Sequence, residues 1–195
     1  MHIFYIFFIS FLLVFFSELG DKTQLIVLSF ASKLKTSTVL IGIAIGSIFS
    51  HGIAIMFGSF LGCFENTLFT NYLKIISYSL FILLGILSFF NFEKSPDNSN
   101  KILNKFKINY IFIIAFMIAF GEIGDKTFLS SIGLGINYPK YKLSLILGAT
   151  LGMIFSNVIA IYLGKFLSKK IPEKTISRFS GLLFILFGIL GYISL

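Results

Sequence analysis

The chain is predicted to be an all-α integral membrane protein, with six transmembrane helices arranged as two inverted-topology three-helix repeats. Three observations predict it. Of its 195 residues, 56% are hydrophobic and only 12% charged, against roughly 25% charged in an average soluble domain. Apolar runs recur over residues 3–30, 38–62, 72–90, 108–131, 143–167 and 179–195, and about 20 residues of helix cross a bilayer core. A short sequence is also written twice, SELGDKTQ at 17–24 returning as GEIGDKTF at 121–128.

The first run, 3–30, has no Lys or Arg ahead of it and no small-residue cleavage site near residue 20. It is expected to stay as a span rather than be removed as a signal peptide. Within it lie Glu18, Asp21 and Lys22. The second run, 38–62, ends beside Cys63, a single cysteine that excludes an intramolecular disulfide and a multi-cysteine metal cluster. The third, 72–90, contains SLFILLGILSFF, apolar on every side. A membrane strand would instead alternate apolar and polar residues over about ten positions, so this run is a helix. Residues 91–107, NFEKSPDNSNKILNKFK, carry Pro, Asn, Ser and Lys without an apolar period and read as a cytoplasmic linker. The fourth run holds Glu122, Asp125 and Lys126, and the fifth and sixth complete a second set of three. The expected organisation is a first repeat over 1–90, the linker over 91–107 and a second repeat over 108–195.

The duplication extends beyond the charged motif. GIAIGSIFSHGIAIMFGSFL from Gly42 aligns with GATLGMIFSNVIAIYLGKFL from Gly148, sharing Gly42/Gly148, Gly46/Gly152, Ser50/Ser156 and Gly58/Gly164. LFILLGIL from Leu80 aligns with LFILFGIL from Leu183. Three spans is an odd number, so the second copy enters the membrane from the opposite side. Charge agrees independently. Of the positive residues outside the motifs, eleven fall in the connections at Lys33 and Lys35, Lys94 to Lys107, and Lys165 to Arg178, and only Lys74, Lys140 and Lys142 fall on the other side. The positive-inside rule puts the eleven in the cytoplasm and both termini outside it, in the plasma (inner) membrane if the source is bacterial. The net charge of +8 is thus a consequence of topology and gives no reason to expect a nucleic-acid partner.

Of eight acidic residues in the chain, Glu18, Asp21, Glu122 and Asp125 lie in the two motif copies, with Lys22 and Lys126 beside them. An ionised residue at the centre of a span costs about 2.5–3.5 kcal/mol, so six unpaired ones would oppose insertion by roughly 15–20 kcal/mol. Pairing, protonation or a bound cation has to offset that. At helical spacing Glu18 and Asp21 are neighbours, as are Glu122 and Asp125, so four carboxylates can converge from the two halves. Gly20 and Gly124 sit between the acids, where the missing Cβ permits an unwound turn. Carboxylate oxygens, supported by Thr23, Thr127, Gln24 or backbone carbonyls, suit a hard divalent cation such as Ca²⁺ or Mn²⁺. Zinc or Cu(I) would call for His and Cys ligands that the motif lacks. The competing reading is a pair of buried Lys–Asp ion pairs that lock helices together, which leaves the two Glu residues without a role.

GDKT echoes a phosphate-binding loop, but Asp separates Gly from Lys and the upstream glycine is absent, so no nucleotide site is predicted. Energy for any transport would then come from an ion gradient. The twin motif E-φ-G-D-[KR]-[TS], present as Glu18-Leu19-Gly20-Asp21-Lys22-Thr23 and Glu122-Ile123-Gly124-Asp125-Lys126-Thr127, resembles that of the six-helix divalent cation/proton antiporter family. That family includes MneA-type bacterial manganese exporters and Golgi calcium/manganese antiporters. The resemblance covers essentially the whole chain. It implies export of Mn²⁺ or Ca²⁺ from the cytoplasm in exchange for protons, with the acids of both motifs as the shared site. Four carboxylates and two ammonium groups sum to −2, which one divalent cation or two protons would neutralise equally. Lys22 and Lys126 are alternatively gates, or snorkel out of the site.

His51 and Asn157 occupy equivalent places after Ser50 and Ser156, either lining the pathway or making an interhelical hydrogen bond. Gly42-x-x-x-Gly46, Gly58-x-x-x-Gly62 and Gly148-x-x-x-Gly152 read as packing surfaces. Tyr5, Tyr72, Tyr110 and Tyr192, with His2, read as interfacial anchors. Apart from the bilayer, the divalent cation and protons, no cofactor or further partner is implied. The alternatives are a structural or assembly subunit, a membrane-embedded hydrolase using paired acids, and a channel, whose flux four carboxylates would slow by holding the ion. Oxygen ligands do not separate Mn²⁺ from Ca²⁺, and the oligomeric state leaves no mark in the sequence.

Overall fold

The computed structural model describes residues 2–19, 21–31, 34–64, 67–90, 110–170 and 173–193. Gly20 and the linker 91–107 lie outside the described residues, as do the side chains of Lys22, Thr23, Lys165, Lys169, Lys170 and Lys174. Among the described residues there is helix and no strand. The elements are α1 (His2–Glu18), α2 (Lys22–Ala31), α3 (Thr36–Gly62), α4 (Thr67–Phe90), α5 (Tyr110–Gly121), α6 (Lys126–Asn137), α7 (Lys142–Lys170) and α8 (Glu173–Ile193), with a 3-10 turn at Pro139–Tyr141.

Three helical stretches, Thr36–Gly62, Leu68–Leu87 and Pro139–Tyr162, are long and apolar enough to cross a membrane. His2–Glu18, Tyr110–Gly121 and Gly181–Ile193 are shorter apolar helices. The first and fourth apolar runs differ from the continuous helices that their hydropathy suggests. Each is cut in two inside the charged motif, giving α1 with α2 and α5 with α6. Consequently Glu18 and Asp21 flank a helix break rather than share one helix face.

The outer face is rich in large apolar side chains, while polar and charged groups are buried among an apolar core. Phe49, Met56, Phe57, Phe60, Phe116, Phe155 and Tyr162 are exposed, while Glu18, Gln24, Ser50, His51, Glu122, Thr127, Ser131, Ser156 and Asn157 are buried. This is an integral membrane protein whose outer face meets lipid.

Close helix crossings hold the bundle, because lipid gives no hydrophobic drive for helices to associate. α1 packs on α7, α5 on α3, α3 on α7 and α4 on α8. The contacts fall at matched positions of the two sequence copies. Gly42 faces Ile114 and the Ile111 carbonyl, and Gly148 faces Ser10 and the Phe7 carbonyl. A Cβ on Gly46 would lie 2.6 Å from the Ala115 carbonyl oxygen, and one on Gly152 would lie 2.6 Å from that of Phe11. With Glu18 aligned on Glu122, Phe7, Ser10 and Phe11 align on Ile111, Ile114 and Ala115. Gly85 likewise meets the Gly181 carbonyl and Gly188 that of Tyr78. Between α4 and α8 the equivalent residues Phe81 and Phe184 stack on each other, ring centres 6.0 Å apart.

Gly46→Val is therefore expected to cost about 1–3 kcal/mol through overpacking. Gly52→Ala, where a Cβ meets nothing within 4 Å, is expected to leave stability unchanged. Thermal unfolding of the two variants in detergent checks the contrast.

Candidate cation site

Both motif copies turn the chain with the same backbone bond. The Asp21 N–H donates to the Glu18 carbonyl at 3.2 Å, and the Asp125 N–H donates to the Glu122 carbonyl at 3.1 Å. Helix resumes at once, with the Gln24 N–H on the Asp21 carbonyl at 3.1 Å and the Leu129 N–H on that of Asp125 at 3.0 Å. Gly124 is the third residue of its turn and has φ +84, a conformation that a Cβ penalises by about 1–2 kcal/mol. Asp125 then enters α6 with extended backbone and makes no side-chain capping hydrogen bond to it.

These turns bring acids of both copies together. One carboxylate oxygen from each of Glu18, Asp21 and Asp125 lies within 4.8 Å of the others. Glu18 is fully buried, and the Asp21 side chain is 11% exposed. Three negative groups so placed repel one another unless protons or cations sit among them. Lys126 Nζ supplies one positive charge, 3.5 Å from Asp21 Oδ2. This ion pair joins the first copy to the second. The donor set of the acids is oxygen only, which fits a hard divalent cation.

Glu122 lies on the same turn as Asp125 but is engaged differently. Thr127 Oγ1 donates to Glu122 Oε2 at 2.9 Å. Glu122 Oε1 is buried without a hydrogen-bond partner among the described residues. Thr127 thus supports an acid directly.

Polar groups on the flanking helices tie the broken segments in place. Gln24 Nε2 donates to Ser156 Oγ at 2.8 Å, fastening α2 to α7. His51 Nδ1 pairs with Ser131 Oγ at 2.9 Å, fastening α3 to α6. Asn157, its counterpart in the sequence, donates to the Met153 carbonyl of its own helix at 2.9 Å. Of these two, His51 is the one that makes an interhelical bond among the described residues. Among the described residues, His51 does not join the carboxylate group. Sequence reasoning missed Ser131 and Ser156 as partners. Ser156 was signalled by its repetition as Ser50, whereas Ser131 aligns with Val27 and left no signal.

Residues 6–95 and 110–194 match the family model described as "GDT1: Divalent cation/proton antiporter GDT1". The chain belongs to this family. It is 31% identical over 198 residues to "GDT1-like protein sll0615" of Synechocystis, covering 93% of each chain. It is 28% identical over 186 residues to a Vibrio cholerae protein named "Putative manganese exporter", covering 95% of this chain and 89% of the relative. Rice "GDT1-like protein 2, chloroplastic" is 27% identical over 210 residues, covering 92% of this chain and 58% of the relative. No solved structure matches the chain. Membership of the GDT1 antiporter family makes the chain a transporter of divalent cations by class.

Removing the Thr127 hydroxyl would leave both Glu122 oxygens buried without that donor. Thr127→Val is expected to destabilise the protein by about 1–3 kcal/mol, the cost of an unsatisfied buried polar group. Thr127→Ser, which keeps the hydroxyl, is expected to recover most of it when both are compared by thermal unfolding.

Proposed function

We propose that this protein exports a divalent cation, Mn²⁺ favoured and Ca²⁺ second, from the cytoplasm in exchange for protons. Its site is formed by Glu18, Asp21, Asp125 and Glu122, supported by Thr127 and Gln24. The observation that carries the reading is the group of Glu18, Asp21 and Asp125 oxygens within 4.8 Å, inside a membrane protein and drawn from both copies of the motif. Preference for Mn²⁺ rests on the name of the Vibrio cholerae relative, since oxygen ligands accept either ion.

Exchange follows from competition for one set of oxygens. The four motif carboxylates carry −4 and Lys22 and Lys126 add +2, leaving −2 when all are ionised. One divalent cation or two protons restores neutrality. Out of water both loaded forms are favoured over the empty one, so the site returns with one cargo or the other. Solvent reaching the site from alternate sides turns that competition into antiport.

The matched crossings of Gly42 with Gly148, Gly46 with Gly152 and Gly85 with Gly188 support two inverted three-helix repeats over 1–90 and 108–195. The positive-charge bias supports a cytoplasmic linker, 91–107, and termini on the opposite side.

In proteoliposomes with an imposed pH gradient, wild-type protein is expected to couple Mn²⁺ uptake to proton efflux. Glu18→Gln and Asp125→Asn are expected to reduce that flux to the level of protein-free vesicles. Full activity in either variant would sink the assignment, and Mn²⁺ flux indifferent to the pH gradient would point to a channel.

A further inference from the structure

Lys126 opens α6 immediately after Asp125, yet its ammonium group lies 3.5 Å from Asp21 in the other copy. Asp21 belongs to the group of three acids that would receive the cation. We propose that Lys126 is a tethered competitor, which holds Asp21 while the cation is away and must yield it when the cation binds. The inference rests on the cation-site reading above and adds a determinant of affinity to it.

The physical need for such a competitor lies in release. A divalent ion held by three carboxylates, one fully buried and two partly so, is drawn to them strongly, because the interaction is little screened away from water. A transporter has to let that ion go on the far side. A fixed positive charge at the site destabilises the loaded state relative to the empty one, and it supplies Asp21 with a partner as the ion departs. Asp21 therefore never passes through an uncompensated state.

Geometry suits this role. The Lys126 side chain is 24% exposed, against 11% for Asp21, so it is the less enclosed partner of the pair. It comes from the first turn of α6, whose N-terminal dipole disfavours a cation there, leaving the carboxylates as its main hold. The pair is also a cross-copy strap. When the cation displaces Lys126 from Asp21, the tie between the two copies passes from the ammonium to the cation shared by Asp21 and Asp125.

The test is Mn²⁺ titration of the purified full chain in detergent, by calorimetry, for wild type, K126Q and K126R. K126Q is expected to bind Mn²⁺ at least about tenfold more tightly, and to exchange it more slowly in proteoliposomes. K126R keeps the charge and is expected to shift affinity less than K126Q. In wild type, saturating Mn²⁺ is expected to raise the labelling of Lys126 by an amine-reactive probe, read by mass spectrometry against exposed Lys140. That second measurement decides the matter if K126Q fails to fold. Unchanged or weaker Mn²⁺ binding by a folded K126Q overturns the inference, as does Lys126 labelling indifferent to Mn²⁺. A wild-type protein that binds no Mn²⁺ overturns the site reading itself, and the competitor role with it.

Discussion

The structure turns on one constraint, the cost of keeping carboxylates out of water in a protein whose outer face is lipid. Each ionised group at the centre of a span costs about 2.5–3.5 kcal/mol unless compensated. Glu18 and Glu122 are both buried, so the fold has to bring compensation to them. It does so by breaking helices. The turns at Glu18–Asp21 and Glu122–Asp125 remove two stretches from continuous helix and set acids from both copies side by side. The hydroxyl of Thr127 serves one acid and the ammonium of Lys126 another. A continuous helix would have spread the same groups along its own face.

Breaking two helices inside a membrane creates a second problem, because the short segments must be held by their neighbours. Glycines answer it by letting backbones approach. The α1/α7 and α5/α3 crossings place glycines of one copy against carbonyls of the other, and α4 meets α8 through Gly85, Gly188 and the Phe81–Phe184 stack. Directional bonds then fix the segments beyond each break. Gln24 ties α2 to α7 through Ser156, and His51 ties α6 to α3 through Ser131. The packing is matched between copies while these polar ties are not. Gln24 aligns with Phe128 and Ser131 with Val27, so each copy fastens its segment with a polar side chain that the other lacks.

Much of this was legible in the sequence because it depends on spacing. The apolar runs end within a few residues of the helices, and three of the four duplicated acids are gathered in space. Hydropathy did not show the two helix breaks, since a single turn removes few apolar residues from a window. Gly124 was the local sign, and its φ of +84 is why glycine stands there. Side-chain partners were harder. Nothing in the order of residues says that Lys126 reaches Asp21 instead of Asp125 next to it, or that Thr127 takes Glu122. The first choice depends on how two motifs about a hundred residues apart meet in space, and the second on how the chain turns between α5 and α6.

The carboxylate group itself is lopsided, with two acids from the first copy and one from the second, while Glu122 is held by Thr127. A symmetric arrangement of four acids would sit on the relation between the copies and favour neither side of the membrane. Lopsidedness is what an exchanger needs, because its site has to open to one side at a time. The sequence carries the means for the reverse arrangement, since Thr23 stands five residues after Glu18 as Thr127 does after Glu122. Under the proposed exchange, the copies would trade roles, with Glu122 joining Asp125 and Asp21 while Glu18 withdraws. On that proposal duplication would supply two related states from one set of interactions, and the difference between bound cation and bound protons would decide which is populated.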